Sequence, residues 1–159
     1  MIQSHINVKN MSILPAQPTD HQHLTQLTQQ SKAHWGYSKE QMKKWEADLT
    51  ITSDYITKNI VFKLLINQEI IGYYSLIPID ATTIELDNLF IHPAHMGKGY
   101  GSLLLEDAIT KSQEKGYTTM KLYADPHATD FYSKKCFVII DKLETAIPNR
   151  YLPIMEKKL

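Results

Sequence analysis

The stretch that decides the fold is ELDNLFIHPAHMGKGYG, which runs from Glu85 to Gly101. A strand-like segment leads through a short loop into glycines at alternate positions, and an apolar helical pattern follows. Gly97, Gly99 and Gly101 lack a Cβ, so a ligand can approach their backbone N–H groups and positive φ angles are accessible. A helix that begins near Gly101 would add unpaired N–H groups and the positive end of its dipole. The stretch therefore predicts a phosphate-binding loop, and a turn that only joins two elements is the alternative.

Two familiar phosphate-binding patterns do not fit this loop. A P-loop needs Ser or Thr after its Lys, but Gly99 follows Lys98. A dinucleotide-binding fingerprint would need its third glycine where the chain has Ser102, although Asp125 lies at a suitable distance for a ribose-binding acid. The dinucleotide interpretation is weakened and stays open at this point.

The loop resembles the acyl-CoA pyrophosphate loop of the GNAT superfamily of N-acyltransferases, whose pattern is Gln or Arg, two residues, Gly, one residue, and Gly or Ala. The corresponding residues here are Met96, Gly97, Lys98, Gly99, Tyr100 and Gly101. Met96 departs from the pattern, since it offers only its backbone N–H as a donor. The resemblance implies that these residues and Ser102 bind the pyrophosphate of acetyl-CoA.

A second segment strengthens the resemblance, because it follows the loop at a separation that leaves room for one helix and one strand. The family pattern there is Asn, two residues, Ala, two residues, Phe-Tyr, and then Gly-Phe. The matching residues are Ala128, Phe131, Tyr132 and Phe137, while Asp125 replaces the asparagine and Cys136 the glycine. The resemblance implies that Asp125, Ala128 and Phe131 contact the cofactor. It also implies that the Tyr132 hydroxyl is the general acid for the departing thiolate, and a core tyrosine is the alternative.

The strand before the loop carries two candidate bases. Strand alternation places Glu85 and Asp87 on the same face. An amine attacks a thioester only in its neutral form, so N-acyl transfer needs a group that removes a proton. The resemblance implies that an acid on this strand serves as that base, often through water, and a solvent-facing pair is the alternative. The backbone of Leu89, Phe90 and Ile91 is expected to pair with the pantetheine arm as another strand would.

Acceptor specificity in the superfamily usually comes from the two early helices and the last hairpin. In this chain those segments contain Trp35, Tyr37 and Arg150. An aromatic wall beside Arg150 would suit a small acceptor that bears a carboxylate or a phosphate, and ordinary packing is the alternative. The segment SKAHWGY and the late Arg-x-Leu-Pro resemble an uncharacterised bacterial group of GNAT proteins, so this resemblance does not indicate a particular substrate.

Composition limits the remaining function classes. With 159 residues, of which 43% are apolar, the chain suits one domain over residues 11–159 after a polar lead-in of residues 1–10. Seventeen basic and 17 acidic residues give no excess that would suggest nucleic acid or an anionic membrane. A single cysteine excludes an internal disulfide and fits a cytoplasmic protein. No apolar run approaches the roughly 18 residues of a membrane span, and the first residues lack a signal-peptide pattern.

A metal is not expected. His92 and His95 lie three positions apart and His21 and His23 two apart, but no Cys or carboxylate cluster completes either pair.

Periodicity and turn residues predict the elements of the fold. Asp20 is expected to cap a first helix and Ser38 a second, in which Met42, Trp45 and Leu49 follow helical spacing. The predicted helices are residues 21–32, a helix after residue 38, a helical turn at 52–58, and helices at 101–115 and 127–135. The predicted strands are residues 11–14, 60–66, 70–79, 83–91, 119–124, 137–144 and 151–156. The helix between residues 91 and 119 predicts a right-handed crossover between parallel neighbours. The fold class is therefore α/β, with a mixed, mostly antiparallel sheet flanked by helices, as in the acyl-CoA N-acyltransferase (GNAT) fold.

The leading hypothesis is an N-acetyltransferase that moves an acetyl group from acetyl-CoA to a primary amine of a small molecule, with a peptide N-terminus or lysine as a less favoured acceptor. A non-catalytic module that senses acyl-CoA is the alternative, and a nicotinamide-dependent oxidoreductase is a third. No nucleic-acid or membrane partner is expected, and a homodimer is left open.

Overall fold

A computed structural model describes residues 10–159. Apart from Asn10, the predicted lead-in of residues 1–10 lies outside the described residues. The strands are β1 (Met11–Pro15), β2 (Ile60–Ile66), β3 (Glu69–Pro78), β4 (Thr83–Ile91), β5 (Thr119–Tyr123), β6 (Val138–Glu144) and β7 (Tyr151–Lys158). The α-helices are α1 (His21–Ala33), α2 (Lys39–Lys44), α3 (Ser53–Lys58), α4 (Tyr100–Glu114) and α5 (Thr129–Lys134).

The strands form one seven-stranded sheet in the order β1-β2-β3-β4-β5-β7-β6. β4 and β5 are parallel, with Glu85 in register with Lys121, whereas β1–β2, β5–β7 and β6–β7 are antiparallel. The parallel pair is the one that α4 connects, as the predicted crossover requires. The predicted fold class, a mixed and mostly antiparallel sheet flanked by helices, is confirmed.

The chain divides into two compact units. Of the described residues, the first contains those up to Ser75 together with Asn88–Leu105, and the second contains Leu76–Asp87 and Glu106–Leu159. A cluster of buried side chains from α1, the α3 region, β2 and β3 forms the core of the first unit. Its members are Leu24, Leu27, Ile51, Ile56, Val61, Ile70 and Tyr73. In the second unit, Met120 and Leu122 of β5 and Met155 of β7 are at most 2% exposed, as the alternation of these strands requires.

Side-chain caps start two of the helices, and the sequence predicted the first of them. The Ser38 hydroxyl accepts from the Gln41 N–H at the start of α2, and the Thr52 hydroxyl accepts from the Tyr55 N–H at the start of α3. The predicted Ser38 cap is therefore confirmed. α2 ends at Lys44, so the helical spacing that runs on to Leu49 continues as turns.

The predicted cap of α1 is wrong. Asp20 stands at the N-cap position but forms no side-chain cap hydrogen bond there. It ends a 3₁₀ turn, Pro18–Asp20, in which its carboxylate accepts from the Gln17 N–H at 2.8 Å. The same carboxylate lies 2.7 Å from the Lys63 ammonium of β2, and both side chains are less than 20% exposed. The ion pair with a neighbouring strand directs the carboxylate away from the helix.

The predicted helix at 127–135 is divided into a 3₁₀ turn, Pro126–Ala128, and α5. Proline has no N–H, and its ring disfavours a helical conformation of the residue before it. Pro126 therefore begins a new turn, and Asp125 stays outside that turn. Asp125 caps this turn by accepting from the His127 N–H.

Candidate active site

The glycine loop joins β4 to α4 and belongs to the first unit. The chain leaves Ile91 and makes a 3₁₀ turn, Pro93–His95, which His92 caps by accepting from the Ala94 N–H. Gly97 and Gly99 follow with φ angles of 76° and 86°. A Cβ at either position would meet no heavy atom within 4 Å, so the backbone conformation rather than crowding favours glycine here.

α4 begins at Tyr100, so Gly101 lies in its first turn. The Gly99 carbonyl accepts from the Leu103 N–H at 3.1 Å. The N–H groups of the first turn of a helix have no acceptor within the helix. Lys98 is exposed between the two glycines of positive φ. This backbone geometry is compatible with an anion, and the phosphate-binding role of the loop stays a prediction.

The end of β4 lies close to β3. An ideal Cβ on Gly72 would lie 2.7 Å from Ile91 Cδ1 and 3.0 Å from the carbonyl oxygen of Phe90, so a larger residue at this crossing would force its β4 neighbours to shift. The Phe90 ring packs against the core of the first unit, and its centroid lies 6.1 Å from that of Tyr73. These contacts hold β4 at Phe90 and Ile91.

A hydrogen-bonded group on β3, β4 and α3 was not predicted from the sequence. The Asn88 amide donates to the Ser75 hydroxyl at 3.0 Å, and that hydroxyl lies 2.9 Å from the Tyr55 hydroxyl. Ser75 is fully buried, so its polar group needs these partners. No local pattern marks three residues so far apart in sequence as neighbours.

The candidate bases belong to the second unit. Glu85 is half-buried and Asp87 is exposed on the same face of β4, and Lys121 of β5 is in register with Glu85. Burial raises the pKa of Glu85, and the neighbouring Asp87 carboxylate raises it further, while the Lys121 ammonium opposes both effects. A carboxylate with a raised pKa is a better proton acceptor than an ordinary one.

Tyr132 lies on α5 and is 8% exposed. Its ring meets the rings of Phe131 and Phe137 edge-on, at centroid distances of 5.1 and 5.5 Å. Burial raises the pKa of the Tyr132 hydroxyl, which therefore stays protonated at neutral pH. Within residues 10–159 this hydroxyl forms no hydrogen bond, and every fully buried side-chain nitrogen or oxygen there has a partner. The hydroxyl is thus a donor that reaches the protein surface.

Asp125 pairs with two basic side chains. One carboxylate oxygen lies 2.9 Å from the His127 N–H nitrogen and 3.0 Å from His127 Nδ1. The other lies 3.4 Å from Arg150 Nη2. Asp125 and Arg150 are 18% and 16% exposed. Arg150 therefore reaches the motif that begins at Asp125, a contact that the sequence did not predict.

The two aromatic residues predicted for the acceptor lie in the first unit and differ in their surroundings. Trp35 is 47% exposed, whereas the Tyr37 ring packs edge-on against Trp45 at 4.7 Å. The Lys32 ammonium lies 5.4 Å from the Tyr37 ring centroid. Tyr37 also lines a cavity of about 470 Å³ between α1 and the α2 region, together with Gln29, Gln30, Ala33, Lys39, Met42, Lys43 and Glu46.

The described part of the chain contains no group of three or more His, Cys, Asp or Glu side chains that could hold a metal ion. None of the helices within residues 10–159 has the length and apolar character needed to cross a membrane.

The sequence matches the model of the acetyltransferase (GNAT) family over residues 22–136. That match covers more than half of the chain, so the chain belongs to the GNAT family. The family and the sheet order leave no support for the dinucleotide interpretation of the glycine loop.

Among curated proteins, the chain is similar to an uncharacterised N-acetyltransferase, ycf52, of Gracilaria tenuistipitata var. liui, with 22% identity over 103 residues. The alignment covers 65% of this chain and 56% of that relative, so the chain spans little more than half of the relative's length.

Two solved structures share the fold. The PaiA N-acetyltransferase of Thermoplasma acidophilum, in complex with coenzyme A, has a TM-score of 0.77 and 22% identity, with 94% of this chain and 99% of that chain covered. A GNAT family acetyltransferase of Elizabethkingia anophelis, with acetyl-CoA bound, has a TM-score of 0.67 and 24% identity over 94% of this chain and 99% of that one.

Proposed function

We propose that this protein transfers an acetyl group from acetyl-CoA to a primary amine of a small molecule. One observation carries the proposal. The carboxylates Glu85 and Asp87 lie on β4, and this strand leads directly into the loop with positive φ angles at Gly97 and Gly99. Membership of the GNAT family and the coenzyme A or acetyl-CoA in two related structures support it.

The residues of the glycine loop fit a diphosphate. Both glycines of positive φ are exposed and have open space beside them, and the first turn of α4 adds N–H groups. We assign the pyrophosphate to the backbone of residues 96–102 and the pantetheine arm to the backbone of residues 89–91. Asp125, Ala128 and Phe131 are proposed to contact the cofactor as well. Acetyl-CoA supplies the activated acyl group as a thioester.

Glu85 is proposed as the general base, ahead of Asp87. A primary amine is largely protonated at neutral pH, so a proton must leave its nitrogen before that nitrogen attacks. The raised pKa of Glu85 supports this role, since it brings the carboxylate closer to the amine in proton affinity. The proton passes to Glu85 directly or through a water molecule.

Tyr132 is proposed as the general acid. Its hydroxyl is held by a buried ring, stays protonated at neutral pH and has no partner within residues 10–159. Donation of its proton to the departing sulfur would turn a thiolate into a thiol. The amine nitrogen loses two protons in all. Glu85 accepts the first before attack and later releases it to water, and the second, lost after attack, replaces the proton that Tyr132 gives to the sulfur.

Acceptor recognition is proposed for Trp35 and Tyr37, and Tyr37 lines an open surface groove that a small molecule could enter. Arg150 stays a prediction for this role. We further propose a cytoplasmic protein with a single catalytic domain over residues 11–159, and a homodimer remains to be tested by size-exclusion chromatography.

The test is release of free thiol from acetyl-CoA in the presence of a panel of small amines, peptide N-termini and lysine peptides. We expect turnover with at least one small amine. Tyr132→Phe should lower kcat by roughly 100-fold, the lower limit for loss of a general acid, because coenzyme A is a stable leaving group. Tyr117→Phe is the matched control, since Tyr117 forms no side-chain hydrogen bond within residues 10–159. Tight acetyl-CoA binding without thiol release on any amine would support the sensor instead.

A further inference from the structure

We propose that Arg150 and Asp125 form a positioning pair that holds the start of α5 and, through that helix, the hydroxyl of Tyr132. The inference rests on the proposed function, in which Tyr132 donates a proton. It assigns Arg150 a task other than direct recognition of the acceptor. All of the residues involved belong to the second unit.

α5 has no side-chain cap of its own. Its N-cap residue is Ala128, which has no polar side chain, and the helix is only six residues long. A helix of this length is unstable in isolation, so its position depends on what precedes and follows it. The 3₁₀ turn Pro126–Ala128 runs directly into α5. The geometry of that turn therefore sets the start of the helix.

Asp125 holds the turn through its backbone and its side chain. Its carbonyl accepts from the Ala128 N–H at 2.8 Å, and its carboxylate accepts from the His127 N–H at 2.9 Å. The second carboxylate oxygen faces Arg150 at 3.4 Å. At 18% exposure this carboxylate has lost much of its hydration, so the guanidinium stabilises both its charge and its orientation.

The loop between β6 and β7 holds Arg150 in turn. The Arg150 N–H donates to the Ile147 carbonyl at 3.1 Å, and the Arg150 carbonyl accepts from the Thr145 hydroxyl at 2.8 Å. Beside the pair, the Ala124 N–H donates to the Pro153 carbonyl at 2.8 Å. The guanidinium thus extends from a hydrogen-bonded loop that lies next to the end of β5.

The other end of α5 is fixed independently. The Phe137 N–H donates to the Tyr132 carbonyl at 3.1 Å, and the two rings are in contact. Loss of the Asp125 anchor would leave one end of the helix fixed and the other free to shift, which would displace the Tyr132 side chain between them. A misplacement of about 1 Å can cost roughly 100-fold in rate.

The test compares Arg150→Gln, Asp125→Asn and the double variant in amine acetylation and in amide hydrogen exchange. We expect Arg150→Gln to lower kcat about tenfold or more, to leave the acceptor KM unchanged, and to speed exchange at residues 126–134. The double variant should recover part of both losses. An asparagine still accepts from the His127 N–H, and it carries no negative charge that needs the lost guanidinium.

Lys111→Gln is the matched control. It breaks the 2.7 Å pair with Asp107, which lies in the same unit and, at 26% and 24% exposure, is likewise partly buried, so a general loss of stability would appear there too. We expect it to leave kcat and exchange at residues 126–134 unchanged.

Three results would overturn the proposal: an acceptor KM that rises in Arg150→Gln with kcat intact, a double variant with no recovery, or exchange at residues 126–134 that does not change. Failure of the proposed function would look different, because the parent protein would then turn over no amine. The exchange measurement would still decide whether the pair positions α5.

Discussion

The glycine loop of the first unit and the segment from Asp125 to Phe137 of the second each contain candidate site residues, and the two segments are built by different means. Gly97 and Gly99 shape the loop through backbone conformation alone, with no side chain involved. The later segment depends on side chains, through the ion pair of Asp125 and the ring contacts of Tyr132. A substitution should therefore act through φ angles in the first segment and through charge and packing in the second.

One feature is common to both segments. Gly97 has a φ of 76° and Cys136 a φ of 71°, so the chain uses a left-handed residue in each place but glycine in only one. Under the proposed function, the loop needs glycine so that a ligand can approach its backbone, whereas Cys136 is exposed and ends a helix. Substitutions can separate these two requirements.

The largest expected effect is at the glycine loop, where Gly99→Asp should abolish stabilisation by acetyl-CoA. A ligand that binds only the folded state stabilises it by about 2.7 kcal/mol at 100 times its Kd, which appears as a rise in Tm. The carboxylate of the variant would stand among N–H groups that are proposed to bind phosphate. The measurement is the Tm with and without acetyl-CoA.

Gly116→Asp separates lost binding from backbone strain. Gly116 has a φ of 93° and, like Gly99, has nothing within 4 Å of an added Cβ. Both variants should lose similar stability without ligand, but only Gly116→Asp should keep the Tm rise. An unchanged rise in folded Gly99→Asp would mean that the diphosphate binds elsewhere.

A smaller effect is expected at β5, where Lys121→Met should move the pH dependence of turnover. The Lys121 ammonium opposes the burial and the Asp87 carboxylate that raise the pKa of Glu85, so its loss should raise that pKa further. A base works only when deprotonated, so the acidic limb of the kcat/KM profile should move to higher pH. We expect activity to fall by a factor of a few at acidic pH and to converge with the parent at alkaline pH.

Lys157→Met controls for the lost charge. Lys157 of β7 is in register with Met120, which puts it on the opposite face of the sheet from Lys121. Glu156, the β7 partner of Lys121, is untouched in both variants. If the two profiles move equally, net charge rather than Lys121 governs the base.

The sequence predicts the contacts of this site that are local in the chain and misses those that join distant segments. The glycine loop, the shared face of Glu85 and Asp87, and the Ser38 cap depend on neighbours within a few residues, and local patterns predict them. The contact of Arg150 with Asp125 spans 25 residues and depends on the pairing of β5 with β7. The pairs Asp20–Lys63 and Asn88–Ser75 were missed for the same reason. The turn at Pro126 could have been predicted, since Asp-Pro is a local start signal.

The smallest expected effect is at the end of α5, where Cys136→Gly should stabilise the protein. The Cys136 N–H donates to the Ser133 carbonyl and the Phe137 N–H to the Tyr132 carbonyl, which is the hydrogen-bond pattern of a Schellman motif. The motif needs a left-handed residue at position 136, and that conformation costs a residue with a Cβ roughly 1–2 kcal/mol. Glycine removes that cost. Its unfolded chain is more flexible, however, so folding loses more conformational entropy, which offsets roughly 0.5–1 kcal/mol of the gain.

The net gain for Cys136→Gly should therefore be up to about 1 kcal/mol, or a rise of roughly 2–4 °C in Tm for a chain of this size. Cys136→Ala is the matched control, because it removes the thiol and keeps the Cβ, so its Tm should not rise. Turnover should stay at the parent level in both variants, since the ring contact of Tyr132 with Phe137 is unchanged. Equal Tm values for the two variants would show that the left-handed backbone at residue 136 carries no cost, and the contrast with Gly97 would then lie only in ligand access.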